Sequence, residues 1–226
     1  LVLLPGMMCD ARLFQPQIAA FSGQMPIMAM PLTGENTIEG LAQSVLRNAP
    51  PRFALAGLSM GGIVAMEIVR QAPDRVTRLA LLDTNPKAET PEASAKREQQ
   101  KQAARDGRLR AVMVDEMKPN YLVDGPNKPV ILQLCMDMAD DLGPDVFIAQ
   151  SDALAGRPDQ QDTLRSVTVP TLVLCGRDDI PCPLDRHELM YDLVPNARLE
   201  IIDGAGHLPT LEQPERTNKA LRQWMM

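Results

Sequence analysis

The sequence predicts an α/β fold: a doubly wound, mostly parallel sheet of about six strands, with a helical cap inserted after the strand that ends near Leu82. Three observations lead there. Short apolar runs alternate with helical patterns. The runs are apolar at nearly every position, as expected of strands covered on both faces. The alternation then lapses for one long stretch before strands resume.

Leu1–Leu4, Ile27–Met30, Phe53–Ala56, Leu79–Leu82, Thr171–Cys175 and Arg198–Ile202 read as strands. Helical patterns occupy residues 11–21, 38–48, 60–71, 184–194 and 210–225. Strand–helix alternation of this kind implies right-handed βαβ units. Asp10 is placed to cap the helix beginning at Ala11, and Pro73 closes the helix that follows Ser59. Residues 92–118 are rich in Ala, Arg, Glu, Gln and Lys, and residues 129–155 read as one or two amphipathic helices. The predicted division is a sheet core from residues 1–84 and 165–226, with a helical cap over 85–164. A structureless loop of that length would be out of place in a compact domain.

Bulk properties narrow the function. The 226 residues suffice for one sizeable core. Hydrophobic residues are 45% and charged residues 23%, an ordinary globular composition. The net charge of −6 and the lack of a basic stripe argue against a nucleic-acid partner. No window of apolar residues reaches membrane-spanning length. The first six residues are too short for a signal-peptide core and lack a basic flank. With four cysteines, no CxxC pair and only two histidines, neither a zinc site nor a disulfide framework is expected. Reduced thiols and a cytoplasmic monomer or homodimer are the expectation.

The chemistry gathers around Gly57-Leu58-Ser59-Met60-Gly61-Gly62. This hexapeptide follows an apolar strand and opens a helix. A sharp strand-to-helix turn strains the serine backbone and requires glycines on both sides, where a Cβ would strike neighbouring backbone. It also pushes the hydroxyl out at the C-terminal edge of the sheet. Ser59 is therefore the candidate nucleophile.

A serine hydroxyl needs a base. His207, in Gly204-Ala205-Gly206-His207-Leu208-Pro209, falls in the loop after the last strand, where doubly wound sheets collect their sites. His187 falls among the charges of Asp185-Arg186-His187-Glu188 and reads as a solvated helix residue. The base needs a carboxylate. Asp178 and Asp179 both leave the strand Thr171–Cys175, and adjacent residues there point different ways. Asp83, at the end of Leu79–Leu82, reads as a turn residue at the cap hinge within reach of assisting. Asp203 reads as a turn residue. Oxyanion donors are expected from the backbone N–H of Met60 and of Met7, with Gly6 allowing close approach.

Together these residues resemble the α/β-hydrolase superfamily along the whole chain. Leu3–Asp10, Gly57–Gly62, Gly176-Arg177-Asp178-Asp179 with Pro183, and Gly204–His207 are similar to its small bacterial carboxylesterase and enol-lactonase branch. The resemblance implies that the acid stands three residues after the strand-ending glycine and four before a proline, which is Asp179. It implies a Ser59–His207–Asp179 triad cleaving a small or medium ester through an acyl-enzyme, with no cofactor and no metal. Lactone hydrolysis, C–C hydrolysis or lyase chemistry, perhydrolysis and a non-catalytic binding module are the alternatives on the same scaffold. The family usually has His-Gly where this chain has Pro5-Gly6. The resemblance implies that the strand Leu1–Leu4 corresponds to the family's third, with the usual first antiparallel hairpin not expected within these 226 residues.

For the pocket, the chain offers 14 methionines against one Trp, two Tyr and four Phe. Gly6, Met8, Met113, Met117 and Met136 are the candidate lining residues, a soft and adaptable surface for an ester or lactone, with ordinary core filling an equal alternative for most of the methionines. No cationic cluster along the sequence announces a site for a carboxylate or phosphate.

Overall fold

In the computed structural model, which describes all 226 residues, the chain forms six strands: β1 Val2–Leu4, β2 Met28–Ala29, β3 Phe53–Leu58, β4 Val76–Leu82, β5 Thr171–Gly176 and β6 Ala197–Ile202. They lie in the order β2-β1-β3-β4-β5-β6, and every neighbouring pair is parallel. Alternation along each strand divides the core between the two faces of the sheet. Val2, Leu4, Leu55, Leu79, Leu81 and Val173 point to one cluster, while Leu3, Ala56, Leu58, Ala80, Leu82, Leu172 and Leu174 point to the other. Both faces of the central strands are buried, which is why β1, β3 and β5 are almost wholly apolar, whereas the edge strand β6 keeps a polar side with Arg198 and Glu200.

Helices α1 (Gln15–Phe21), α2 (Ile38–Asn48) and α3 (Met60–Gln71) come from the first half of the chain. Asp10 does act as a cap, its carboxylate accepting from the Arg12 N–H at 2.8 Å. It caps a 3-10 turn (Ala11–Phe14) that leads into α1. Residues Ala42 and Val45 of α2 pack with Ile63, Val64 and Ile68 of α3 over one face. Phe14, Phe21, Leu221 and Trp224 cover the other.

The stretch between β4 and β5 contains no strand. It holds α4 (Pro91–Arg105), α5 (Leu109–Ala111) running into a π-helical turn (Val112–Met117), α6 (Lys128–Ala155) and α7 (Gln161–Arg165). Gly143, with φ of 77°, interrupts α6 just before Pro144. A backbone with this positive φ is one that glycine adopts readily, and Pro144 disfavours a helical conformation at the residue before it. The short α7, which straddles residue 164, packs on α3 and on α8 (Leu184–Leu193). The C-terminal pattern is two helices, α9 (Pro209–Glu212) and α10 (Pro214–Met225), because Gln213 leaves the helical conformation ahead of Pro214. No helix is long and apolar enough to cross a membrane.

Candidate active site

Ser59 sits between β3 and α3 with φ of 54° and ψ of −115°, a left-handed backbone that a side chain seldom adopts. The surrounding glycines explain how the turn closes. A Cβ on Gly57 would lie 2.2 Å from the Gly61 carbonyl oxygen, and one on Gly61 would lie 2.0 Å from that of Leu4. Ser59 N–H donates to Leu82 O at 2.9 Å, and the Thr84 hydroxyl donates to Ser59 O at 2.7 Å. The strained turn is thus tied to the end of β4.

His207 reaches Ser59 from the loop after β6. Its Nε2 is 3.0 Å from Ser59 Oγ, and its Nδ1 lies 2.9 and 3.0 Å from the two oxygens of Asp179. Both His207 and Asp179 are buried. Asp178 is exposed, and its N–H donates to Ala205 O at 3.1 Å. Of the adjacent pair, only Asp179 faces the imidazole. Two loops must nearly touch for this contact: a Cβ on Gly176 would lie 1.9 Å from the Gly206 carbonyl oxygen.

Several residues that sequence reasoning passed over hold this arrangement. Glu212 accepts from the N–H groups of Gly206 and Leu208 on either side of His207, at 3.0 and 3.1 Å, and from Val123 at 2.9 Å. Tyr121 accepts from His207 N–H at 2.7 Å and sets its ring edge-on to the imidazole. Gln150 of α6 accepts from Met8 N–H at 2.8 Å and donates to Leu32 O at 2.9 Å, pinning the loop after β1.

His187 is not solvated. It is fully buried, and its Nε2 accepts from Thr84 N–H at 3.1 Å while Nδ1 faces Pro183 O. Burial pushes its pKa down to about 4, with Asp179 opposing and His207 adding to the fall. The signal was present in the sequence: Leu184, His187, Met190 and Val194 share one helical face, and the flanking charges belong to the other. Asp83 is also more than a turn residue. It is fully buried with φ of 45°, its Oδ1 accepts from Gly176 N–H at 2.9 Å, and its Oδ2 has no partner in the chain. Burial first, and then the Asp179 carboxylate, raise its pKa well above the usual range. The environment beside Asp179 thus favours the protonated form of the Asp83 carboxyl. Asp203 lies in its expected turn, paired with Arg177.

A cavity of about 520 Å³ opens over Ser59. Met7, Met60, Met117, Tyr121, Cys182 and His207 are in its wall. Met117 is thus the one pocket methionine among the five candidates that reaches it. Met8 and Met113 are wholly buried in the core, and Met136 borders a separate small cavity beside Lys118. They serve as filler where the inserted helices pack, a role that suits the flexible thioether. Gly6 passes close behind the serine, where a Cβ would lie 3.4 Å from Ser59 Cβ. Met7 N–H has no acceptor in the chain, and Met60, as the first residue of α3, has an N–H that no helical carbonyl can reach.

Asp179, Cys182 and His207 each bring one ligand atom to within 4.8 Å of the others. Both imidazole nitrogens are already hydrogen-bonded, and burial, then Asp179, push the Cys182 thiol well above its usual range. The arrangement suits proton transfer from Ser59 better than metal ligation. All four cysteines are free thiols, buried.

A strained serine between strand and helix, with histidine and aspartate on later loops of a parallel sheet, defines a hydrolase-type architecture. The family described as the alpha/beta hydrolase family matches residues 1–220, and the chain belongs to it. It is 24% identical to a pimeloyl-[acyl-carrier protein] methyl ester esterase of Legionella pneumophila, over 95% of this chain and 90% of that protein. Among solved structures it is similar to a thermophilic esterase from Thermogutta terrifontis, with a TM-score of 0.90, 28% identity, and 99% and 88% of the two chains covered. An enol-lactonase from Burkholderia xenovorans shares the fold at a TM-score of 0.86 and 21% identity, covering 99% and 90%.

Proposed function

We propose that this hydrolase cleaves a small or medium carboxylic ester through an acyl-enzyme on Ser59. The observation that carries the reading is the continuous relay Ser59 Oγ–His207 Nε2, His207 Nδ1–Asp179. His207 takes the hydroxyl proton as Oγ attacks the ester carbonyl. The N–H groups of Met7 and Met60 hold the developing oxyanion; losing one such donor costs about 3 kcal/mol of transition-state stabilisation. His207 then protonates the departing alcohol and activates water against the acyl-enzyme. Asp179 fixes the imidazole tautomer and stabilises its cation. Every proton has a protein group to carry it, so the mechanism calls on no metal or cofactor. The esterases at 24% and 28% identity support the substrate class.

The test is turnover of short-chain p-nitrophenyl esters by the wild-type chain and by Ser59→Ala. The expected result is loss of roughly 10³-fold or more in kcat in the variant. Asp179→Asn should be crippled and Asp178→Asn nearly unaffected. Activity that survives in Ser59→Ala would remove the nucleophile. An intact Ser59 that turns over no ester and ignores fluorophosphonate probes would favour a binding module.

A further inference from the structure

The fold gathers what the sequence scatters. Lys87, Lys96, Arg97, Arg157 and Arg186 all line the cavity over Ser59, and Glu89 is the one acidic residue in the same wall. This happens in a chain of net charge −6. No cationic cluster announces itself along the sequence, for a simple reason: these residues span a hundred positions and come from the β4 exit, α4, the end of α6 and α8.

The pairing within the cluster shows an excess of positive charge. Glu89, with its side chain 5% exposed, is shared between Arg97 at 2.6 Å and Arg157 at 3.1 Å. One carboxylate cannot neutralise two guanidiniums. Arg157 is the more deeply set, and its Nε donates to Lys87 O at 2.9 Å. Burial lowers its pKa, and Arg97 and Arg186 lower it further against the pull of Glu89. Arg186 pairs only with Asp185, which points to solvent. Lys87 and Lys96 have no carboxylate within ion-pair distance. Arg97 lies against Met7 Sδ at 3.8 Å, which places the positive wall beside the proposed oxyanion donor. A purely structural network would pair its charges; this one leaves cations free toward the cavity.

We infer that the substrate carries an anionic group, a carboxylate or a phosphate, on the part of the molecule away from the scissile ester, held by Lys87, Lys96 and Arg97. This rests on the esterase reading above. Arg157 and Glu89 set the orientation of Arg97, and the cavity volume suits a small ester with one charged end. A planar guanidinium fits either oxyanion by two parallel hydrogen bonds, while the lysines contribute charge without imposing geometry.

The test compares matched esters. Monomethyl adipate is set against methyl pentanoate, and the butyryl ester of 2-hydroxyethyl phosphate against that of 2-methoxyethanol. The two pairs distinguish a carboxylate on the acyl arm from a phosphate on the alcohol arm. One anionic ester is expected to exceed its neutral partner by roughly tenfold in kcat/KM at low salt, mainly through KM, and to lose that advantage as sodium chloride is raised. Lys96→Gln and Arg97→Gln should drive the ratio toward one, and Arg97→Lys should keep part of it. Lys96 is exposed and unpaired, so its variant reads the ratio without a risk to folding. Calorimetry on Ser59→Ala gives the same comparison without turnover. Equal binding and equal, salt-independent turnover within both pairs would overturn the inference while leaving the esterase intact. Turnover of both members by Ser59→Ala would overturn the underlying reading instead.

Discussion

Replacing His187 by glutamine isolates a buried imidazole that couples folding to pH. In the wild-type chain His187 accepts from Thr84 N–H, and burial pushes its pKa down to about 4. An unfolded chain restores the ordinary value of about 6.5. Between these values the unfolded state binds the extra proton, so stability is fully present above pH 6.5 and is lost as pH falls toward 4. The loss is about 1 kcal/mol at pH 5.5 and about 2 kcal/mol at pH 5. Glutamine can offer its carbonyl oxygen to Thr84 but cannot take up a proton. At pH 7.5 the variant should be less stable by about 1–3 kcal/mol, from imperfect packing and hydrogen bonding. The gap should then close as pH falls, since only the wild type loses this contribution. Urea unfolding of both proteins at pH 7.5, 6, 5.5 and 5 measures it, and taking the difference cancels every other titrating group. A gap that stays constant across those pH values would mean that His187 titrates normally in the folded protein.

Three further outcomes follow from the same geometry. Asp83→Asn keeps the acceptor for Gly176 N–H but removes a carboxyl whose pKa burial and Asp179 raise; because the wild type loses stability as pH rises past the unfolded value of about 3.9, the variant should gain in relative urea midpoint from pH 4 to pH 8, and a pH-independent offset would contradict this. Gly61→Ala would drive a Cβ to 2.0 Å from Leu4 O and should cost roughly 3 kcal/mol or more, seen as a fall of about 6–12 °C in Tm; a melting point within two or three degrees of wild type would show that the turn can open. Glu212→Gln leaves at least one of three backbone donors facing an amide NH₂, so kcat on a short ester should fall about tenfold with a smaller change in KM, and an equal loss in a variant that only destabilises α9 would assign Glu212 to folding alone.

The sheet was legible because its physics is local. A strand buried on both faces must be apolar almost throughout, and short runs, most of them of this kind, mark β1 to β6 to within a few residues; β6, at the edge, alternates through Arg198 and Glu200. The largest miss is the start of β4, where Val76-Thr77-Arg78 alternate in polarity because this end of the strand is less buried; Arg78 extends to donate to Trp224 O. The insertion was legible as helical from composition, but its internal breaks at Gly143 and in the π-turn Val112–Met117 depend on packing between helices. The serine turn announces itself because sterics allow so few sequences there.

The site's supporting residues and its charge were illegible because they are products of tertiary contact. Glu212 follows His207 by five residues, yet nothing in that spacing says that its carboxylate turns back to clamp the loop. Asp83 and His187 look like a hinge residue and a surface residue until burial is known, and burial is what shifts the pKa of each toward favouring its neutral form. The cavity wall shows the same principle most strongly. Lys87 and Arg186 are ordinary surface residues in sequence, and the composition of the chain is acidic. Only when β4, α4, α6 and α8 converge over Ser59 do their cations share one wall with a single carboxylate. Charge in a binding site is set by which loops meet at the sheet's C-terminal edge, not by the sum over the chain. A methionine-rich sequence therefore suggested a soft pocket surface, whereas the folded wall combines three methionines with a cluster of cations. Such a wall matches a substrate that joins an uncharged reacting ester to an anionic group.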